Sequence, residues 1–221
     1  MNVLLENDHL VIVSQPVGPF AMNQMLVGCK RTHNAAIIDA GAAPDDFIRA
    51  AAERDLTITH LLQTHAHIDH VAGLTETKKA LPLPLHLHKD DLPVYEQVPL
   101  QAKMLPHLGL SIGPLPAIDH FYTDGETISV GELSFEILHT PGHSPGHVCL
   151  YAQEQRVLIG GDLLFRQSIG RTDLPLCDPQ KMMQSLQRVM ELPDDVMVFP
   201  GHMGPTTIGF ERRMNPFLQN L

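Results

Sequence analysis

A chain of 221 residues that is 43% apolar and 18% charged has material for one substantial core, and no stretch is polar enough to read as disordered. Fifteen Lys and Arg against 25 Asp and Glu leave a formal net charge of −10, which opposes binding to nucleic acid or to an anionic membrane surface. Cys29, Cys149 and Cys177 are too few and too scattered for a disulfide framework or a zinc ribbon, so they read as reduced thiols of a cytoplasmic protein.

At the N-terminus, Glu6 and Asp8 precede a short apolar run, Leu10 to Val13, which is neither a signal peptide nor a membrane span. Leu10–Val13, Met25–Cys29 and Ala35–Asp39 read as early strands. Pro44 opens a helix through Arg54, with Asp45 and Asp46 at its positive end. Ile58–Gln63 reads as a buried strand and Asp69–Ala80 as a helix. The stretch from 92 to 116 is rich in Pro, Leu and Met without clear periodicity, and is expected to be a flexible loop or helical insert covering a pocket. After the turn at Asp124-Gly125, Ile128, Val130, Leu133, Phe135 and Ile137 alternate, with a hairpin turn at Gly131-Glu132. A second hairpin joins Val148–Ala152 to Val157–Ile159. Asp178-Pro179 caps a helix with one apolar face, Val196–Phe199 is a last strand, and Phe210–Leu218 a closing helix. Hairpins and buried strands covered by amphipathic helices predict an α/β sandwich with helices outside, and no linker divides residues 1–221.

Chemistry concentrates in His65-Ala66-His67-Ile68-Asp69-His70, where four ligands for zinc, iron or manganese fall within six residues. Three other segments share its grammar, an apolar strand ending in His or Asp beside glycine: Phe135–Leu138 before Pro141-Gly142-His143, Val157–Ile159 before Gly160-Gly161-Asp162, and Val196–Phe199 before Pro200-Gly201-His202. Ligands at strand ends would converge on one rim of a sheet, where positions are both rigid and accessible. Seven donors exceed the needs of one tetrahedral ion but suit two that share a bridging carboxylate. Two ions about 3.5–4 Å apart can hold a water acidified toward neutrality, the physical basis of a hydrolase.

The series His65-x-His67-x-Asp69-His70, His143, Asp162 and His202 resembles the full ligand set of the metallo-β-lactamase superfamily. Pro141-Gly142-His143-Ser144-Pro145-Gly146-His147, Gly161-Asp162 and Gly170-Arg171-Thr172-Asp173 resemble short, single-domain bacterial glyoxalase II-like (hydroxyacylglutathione hydrolase) proteins, and the likeness runs from Asn23 to Phe217. The resemblance implies an αβ/βα sandwich of two mixed sheets with helices on the outer faces. It implies two divalent metal ions, zinc expected and iron or manganese as alternatives. One would sit on His65, His67 and His143, the other on Asp69, His70 and His202, with Asp162 bridging. Asp69 would orient or deprotonate the attacking water, and the substrate would be a small thioester, possibly in the S-acylglutathione class. The dizinc β-lactamases carry Arg or Cys among these positions, so antibiotic hydrolysis is not expected from this chain. The larger glyoxalase II enzymes have a helical C-terminal domain that grips glutathione, and this chain stops soon after His202.

Arg171 is the remaining anchor for a thioester substrate, although an ion pair with Asp173 is an equal expectation. Asp39 matches a family acid that could support a ligand histidine, or be a turn residue before Gly41. His147 reads as structural, and so do His86 and His88, which share one face of a strand. Tyr95 and Met104 are candidates for the pocket wall. Two other reactions suit the same residues: persulfide dioxygenation at a single iron on His65, His143 and Asp162, and lactone opening. A homodimer is compatible with the sequence, but no residue argues for one.

Overall fold

The computed structural model describes residues 1–110 and 112–219. Two sheets form the middle of the molecule. The first runs in chain order: β1 (Asn2–Glu6), β2 (Leu10–Val17), β3 (Met22–Cys29), β4 (Asn34–Ile38), β5 (Thr57–Leu62), β6 (Leu85–His88) and β7 (His120–Tyr122). It is antiparallel from β1 to β4 and parallel from β4 to β7. The second contains β8 (Thr127–Val130), β9 (Leu133–His139), β10 (Val148–Ala152), β11 (Val157–Gly161), β14 (Met197–Pro200) and β15 (Thr206–Thr207). It is antiparallel except where β11 pairs in parallel with β14. A small ribbon of β12 (Leu164–Phe165) and β13 (Ser168–Ile169) lies between them in sequence.

Alternate residues of each strand face different cores, which is why these strands read as near-continuous apolar runs. Leu10 and Ile12 of β2 and Met25 and Val27 of β3 meet Phe135, Ile137, Val148 and Leu150 of the second sheet. Val11, Val13 and Leu26 instead face the other way, toward α1 (Asp45–Ala52), α3 (Leu74–Ala80) and α4 (Leu92–Met104). Cys149, Tyr151, Leu158 and Val198 pack beneath α5 (Pro179–Val189) and α6 (Ile208–Met214). The order of layers is therefore helix, sheet, sheet, helix, as expected. No helix among the described residues is long and apolar enough to cross a membrane.

Local chemistry explains most element ends. Asp178 accepts hydrogen bonds from Gln180 N and Lys181 N at 3.0 Å, and Pro179 fills the first position of α5. The helix expected over Asp69–Ala80 is two helices, α2 (Ile68–Val71) and α3. The break at Gly73 brings its backbone against Ala42, where a Cβ would collide with the Ala42 carbonyl. The closing helix also stops early: α6 ends at Met214, because Asn215 turns extended before Pro216, and Pro216–Leu218 form only a 3-10 turn. The segment Leu92–Met104 is an ordered helix despite Pro99.

Phe135 is 1% exposed at the centre of the shared core. Phe135→Ala should destabilise the fold by about 3–5 kcal/mol, read as an earlier urea midpoint at unchanged slope. A loss below about 1 kcal/mol would mean that the two sheets do not share this core.

Candidate metal centre

β4, β5, β9, β11 and β14 all end at one rim of the sandwich, and each releases a polar segment there: Asp39 after β4, His65–His70 after β5, His143 after β9, Asp162 after β11 and His202 after β14. Donor atoms of His65, His67 and His143 lie within 4.8 Å of one another, and so do those of Asp69, His70 and His202. Asp162 lies between the two groups. Its Oδ1 is 3.5 Å from His70 Nε2, while Oδ2 is 3.4 Å from His143 Nε2 and 3.5 Å from His202 Nε2. His67 Nδ1 is 2.8 Å from His143 Nε2, and His202 Nε2 is 3.1 Å from Asp69 Oδ2. All seven residues singled out by sequence are thus brought together.

Hydrogen bonds from behind decide which nitrogen each ring presents. Asp39 Oδ2 accepts from His70 Nδ1 at 3.0 Å. The same carboxylate accepts from Thr64 N at 2.7 Å and Thr64 Oγ1 at 2.8 Å, and that hydroxyl lies 3.0 Å from His65 Nδ1. His143 Nδ1 donates to the Arg171 carbonyl at 2.8 Å. With Nδ1 occupied in each ring, Nε2 is the nitrogen that each presents to the centre. His65 Nε2, His70 Nε2 and Asp162 Oδ1 are buried without a hydrogen-bond partner. Buried polar atoms are normally paired, so these three orphans fit a site built for cations. Gly201 keeps the space open: a Cβ there would collide with Asp162 Oδ1 and lie 2.8 Å from His70 Cε1.

Electrostatics separate the ligands. Burial, reinforced by neighbouring imidazoles, holds His65 well below the usual histidine range and His67 at about 3, so both stay neutral. Burial also disfavours charge on His70, but Asp162, Asp69 and Asp39 outweigh it and raise the ring well above its ordinary value. Asp162 and Asp69 show the converse: burial would raise them, yet His70 and the other histidines hold both carboxylates below the usual range. A cation entering this cluster therefore displaces a proton from His70.

Other candidates fall out differently. Asp39 is 2% exposed and supports both His65, through Thr64, and His70. The Arg171 side chain is exposed and held by Asp173 at 2.8 and 2.9 Å, although the residue lines the cavity above the cluster. His147 is structural: its Nε2 accepts from Asp162 N at 2.9 Å, and its Nδ1 lies 2.9 Å from Thr140 Oγ1. His88 stacks on His139 with centroids 4.0 Å apart and rings 15° from parallel. Donor atoms of the two and of Asp90 lie within 4.8 Å of one another, but His88 Nδ1 accepts from Asp90 N at 3.3 Å and His139 Nε2 lies 3.0 Å from the Pro145 carbonyl. Tyr95 and Met104 do not line the cavity. Tyr95 is buried with its hydroxyl on the Pro116 carbonyl, Met104 is exposed, and α4 contributes Val94, Gln97 and Gln101 instead.

Asp91 escaped the sequence reading. It is fully buried and accepts from Ala66 N at 2.7 Å, Ser144 Oγ at 3.0 Å and Gly146 N at 2.6 Å. It thereby fastens the His65–His67 turn to the His143 loop. In sequence it stands in Lys89-Asp90-Asp91 before Leu92-Pro93, where an acid reads as an ordinary helix start. Asn23 is similar, donating to the carbonyls of Pro200 and Met203 at 3.1 and 2.8 Å and so bracketing His202.

The family model of the metallo-beta-lactamase superfamily matches residues 17–202. A Haemophilus influenzae protein named hydroxyacylglutathione hydrolase GloC is 37% identical over 213 residues, 93% of this chain and 96% of its own. The crystal structure of TTHA1623 in a di-iron-bound form superposes with a TM-score of 0.83 at 39% identity, covering 93% of this chain and 100% of that one. The crystal structure of BLEG-1, a B3 metallo-beta-lactamase, gives 0.84 at 33%, covering 94% and 99%.

Asp39→Asn replaces an acceptor of two ligand-orienting bonds by an amide, and should weaken zinc binding about 10- to 100-fold in competition with a chromophoric chelator. Unchanged affinity would reduce Asp39 to a turn residue. Because His70 is held protonated near neutrality, apparent zinc affinity should rise with pH, and the calorimetric enthalpy should change with the buffer's ionisation enthalpy. A buffer-independent enthalpy at pH 7 would contradict that protonation.

Proposed function

Since the chain belongs to the metallo-beta-lactamase superfamily, whose fold implies a dinuclear metal site, we propose that it is a hydrolase of small thioesters of the S-acylglutathione class. The observation that carries the reading is the pair of ligand triads sharing Asp162 at the floor of a cavity of about 640 Å³. His65, His67 and His143 would hold one ion, Asp69, His70 and His202 the other, and Asp162 would join them. Zinc is the metal we propose, with iron the alternative that the di-iron relative supports. Bound there, such ions supply a water acidified toward neutrality and a Lewis acid for the carbonyl.

The chain's own groups do the rest. Asp69 lines the cavity floor, ionised by His70 and by its bond to His202, so it can orient the attacking water or accept its proton. His70 and His65 are fixed by Asp39 and Thr64, which spares the site reorganisation as charge develops. The acidic surface suits neither a nucleic acid nor an anionic membrane, which leaves a small molecule as the partner. The relative named hydroxyacylglutathione hydrolase supports the thioester class, and the match spans 96% of its length.

Zinc-loaded protein should release glutathione from S-D-lactoylglutathione, and Asp69→Asn, which alters both an ion's ligand and the partner of the attacking water, should lower kcat by about 100-fold or more. No turnover of this or any other acylglutathione would sink the thioesterase. Oxygen uptake with glutathione persulfide by iron-loaded protein would then assign a dioxygenase. Hydrolysis of nitrocefin or of an acyl-homoserine lactone would assign a lactamase or a lactonase, the former against the expectation drawn from the ligand set.

A further inference from the structure

The wall of the cavity is unlike its floor. Phe20, Val94, Leu105, Phe165, Leu174 and Leu176 make it apolar, and the apolar lining begins at the ligands themselves. Ile68 lies between His67 and Asp69, and the Phe165 ring stands edge-on to His202 with centroids 6.1 Å apart. The surface continues outward without interruption: Val94 and Phe165 are buried, whereas Phe20 is 46%, Leu105 37% and Leu176 50% exposed at the mouth. These residues come from the turn after β2, from α4 and the residue after it, from β12 and from the loop after Asp173. All six therefore lie outside the turns that carry the metal ligands.

Charge on this wall is scarce. Arg171 is the cation lining it, and its guanidinium is already paired with Asp173 by two hydrogen bonds. Gln97 and Gln101, one turn apart on α4, are the neutral polar groups facing the cavity. A glutathionyl arm carries two carboxylates, and seating them against leucine and phenylalanine without partners is prohibitive. The apolar wall therefore suits the uncharged arm of an acylglutathione, which is the acyl group, while the charged arm stays near the open mouth.

Building on the thioesterase reading, we propose that this wall selects an unbranched apolar acyl chain of several carbons over short polar acyl groups such as lactoyl. Phe20, Val94, Leu105, Phe165 and Leu176 are its specificity-determining residues. Each added methylene moves from water to the wall and gains up to about fourfold in transition-state binding where burial is complete.

S-acetyl-, S-D-lactoyl-, S-butyryl- and S-hexanoylglutathione share one leaving thiol, so kcat/KM across the set reads the acyl arm alone. Zinc-loaded protein should favour hexanoyl over acetyl by about tenfold or more. Leu105→Glu and Leu176→Glu, both at the exposed mouth, should each reduce the hexanoyl-to-acetyl ratio. Calorimetry gives an independent reading without turnover: S-hexylglutathione should bind more tightly than S-methylglutathione by a similar factor. Hydrolysis with a flat or falling dependence on chain length would overturn the proposal and leave the thioesterase intact. Failure to hydrolyse any of the four would overturn the thioesterase, and equal binding of the two thioethers would overturn the apolar subsite as well.

Discussion

Holding five imidazoles and two carboxylates in one small volume is the demand that shapes this molecule. Three of the histidines and one aspartate are buried, and three donor atoms have no hydrogen-bond partner among the described residues. Each such orphan costs about 1–3 kcal/mol unless something satisfies it. Contacts within the cluster, such as His202 with Asp69 and Asp162 with three histidines, leave the imidazoles that face one another to repel if both are protonated. The restraint comes from outside: Asp39 behind His65 and His70, Asp91 between two ligand turns, the Arg171 carbonyl behind His143, and Asn23 around the His202 turn. A cation completes what these groups prepare.

Rigidity and selectivity are divided between different parts of the chain. The ligands sit at the ends of strands whose two faces are packed into separate cores, so they inherit the sheets' immobility. The wall above them belongs to α4, the turn at Phe20, the short ribbon at Phe165 and the loop at Leu174–Leu176. Substitutions in that wall can change which molecule fits without moving a ligand atom. The fold can thus keep one hydrolytic floor beneath walls of very different chemistry.

What could be read in advance was whatever is local. The His65–His70 cluster, the glycine-flanked His143, Asp162 and His202, and the alternation from Ile128 to Ile137 announce themselves within a few residues. Asp39 was visible as a strand-end acid, but its grip on two histidines depends on Thr64, which nothing marks in sequence. Asp91 was hidden because its three donors lie 25, 53 and 55 residues away. The break at Gly73 is dictated by contact with Ala42, a tertiary fact that helical periodicity overrode. Tyr95 and Met104 were drawn to the pocket by composition, but the orientation of α4 turns one into the core and the other to solvent. β1 and β7 were missed because they are short edge strands, half exposed and without a clear apolar stripe.

Asp39 also decides whether the two halves of the centre are independent. His65 belongs to one triad and reaches Asp39 through the Thr64 hydroxyl, while His70 belongs to the other and bonds Asp39 directly. One carboxylate oxygen, Oδ2, accepts from both Thr64 and His70. A change in the charge or position of either histidine is therefore felt at that oxygen and passed to the opposite triad. Asp162 makes the second link, with one oxygen toward His70 and the other toward His143 and His202. With a shared anchor behind and a shared carboxylate between them, the triads form one electrostatic unit, and occupation of one half changes the free energy of filling the other.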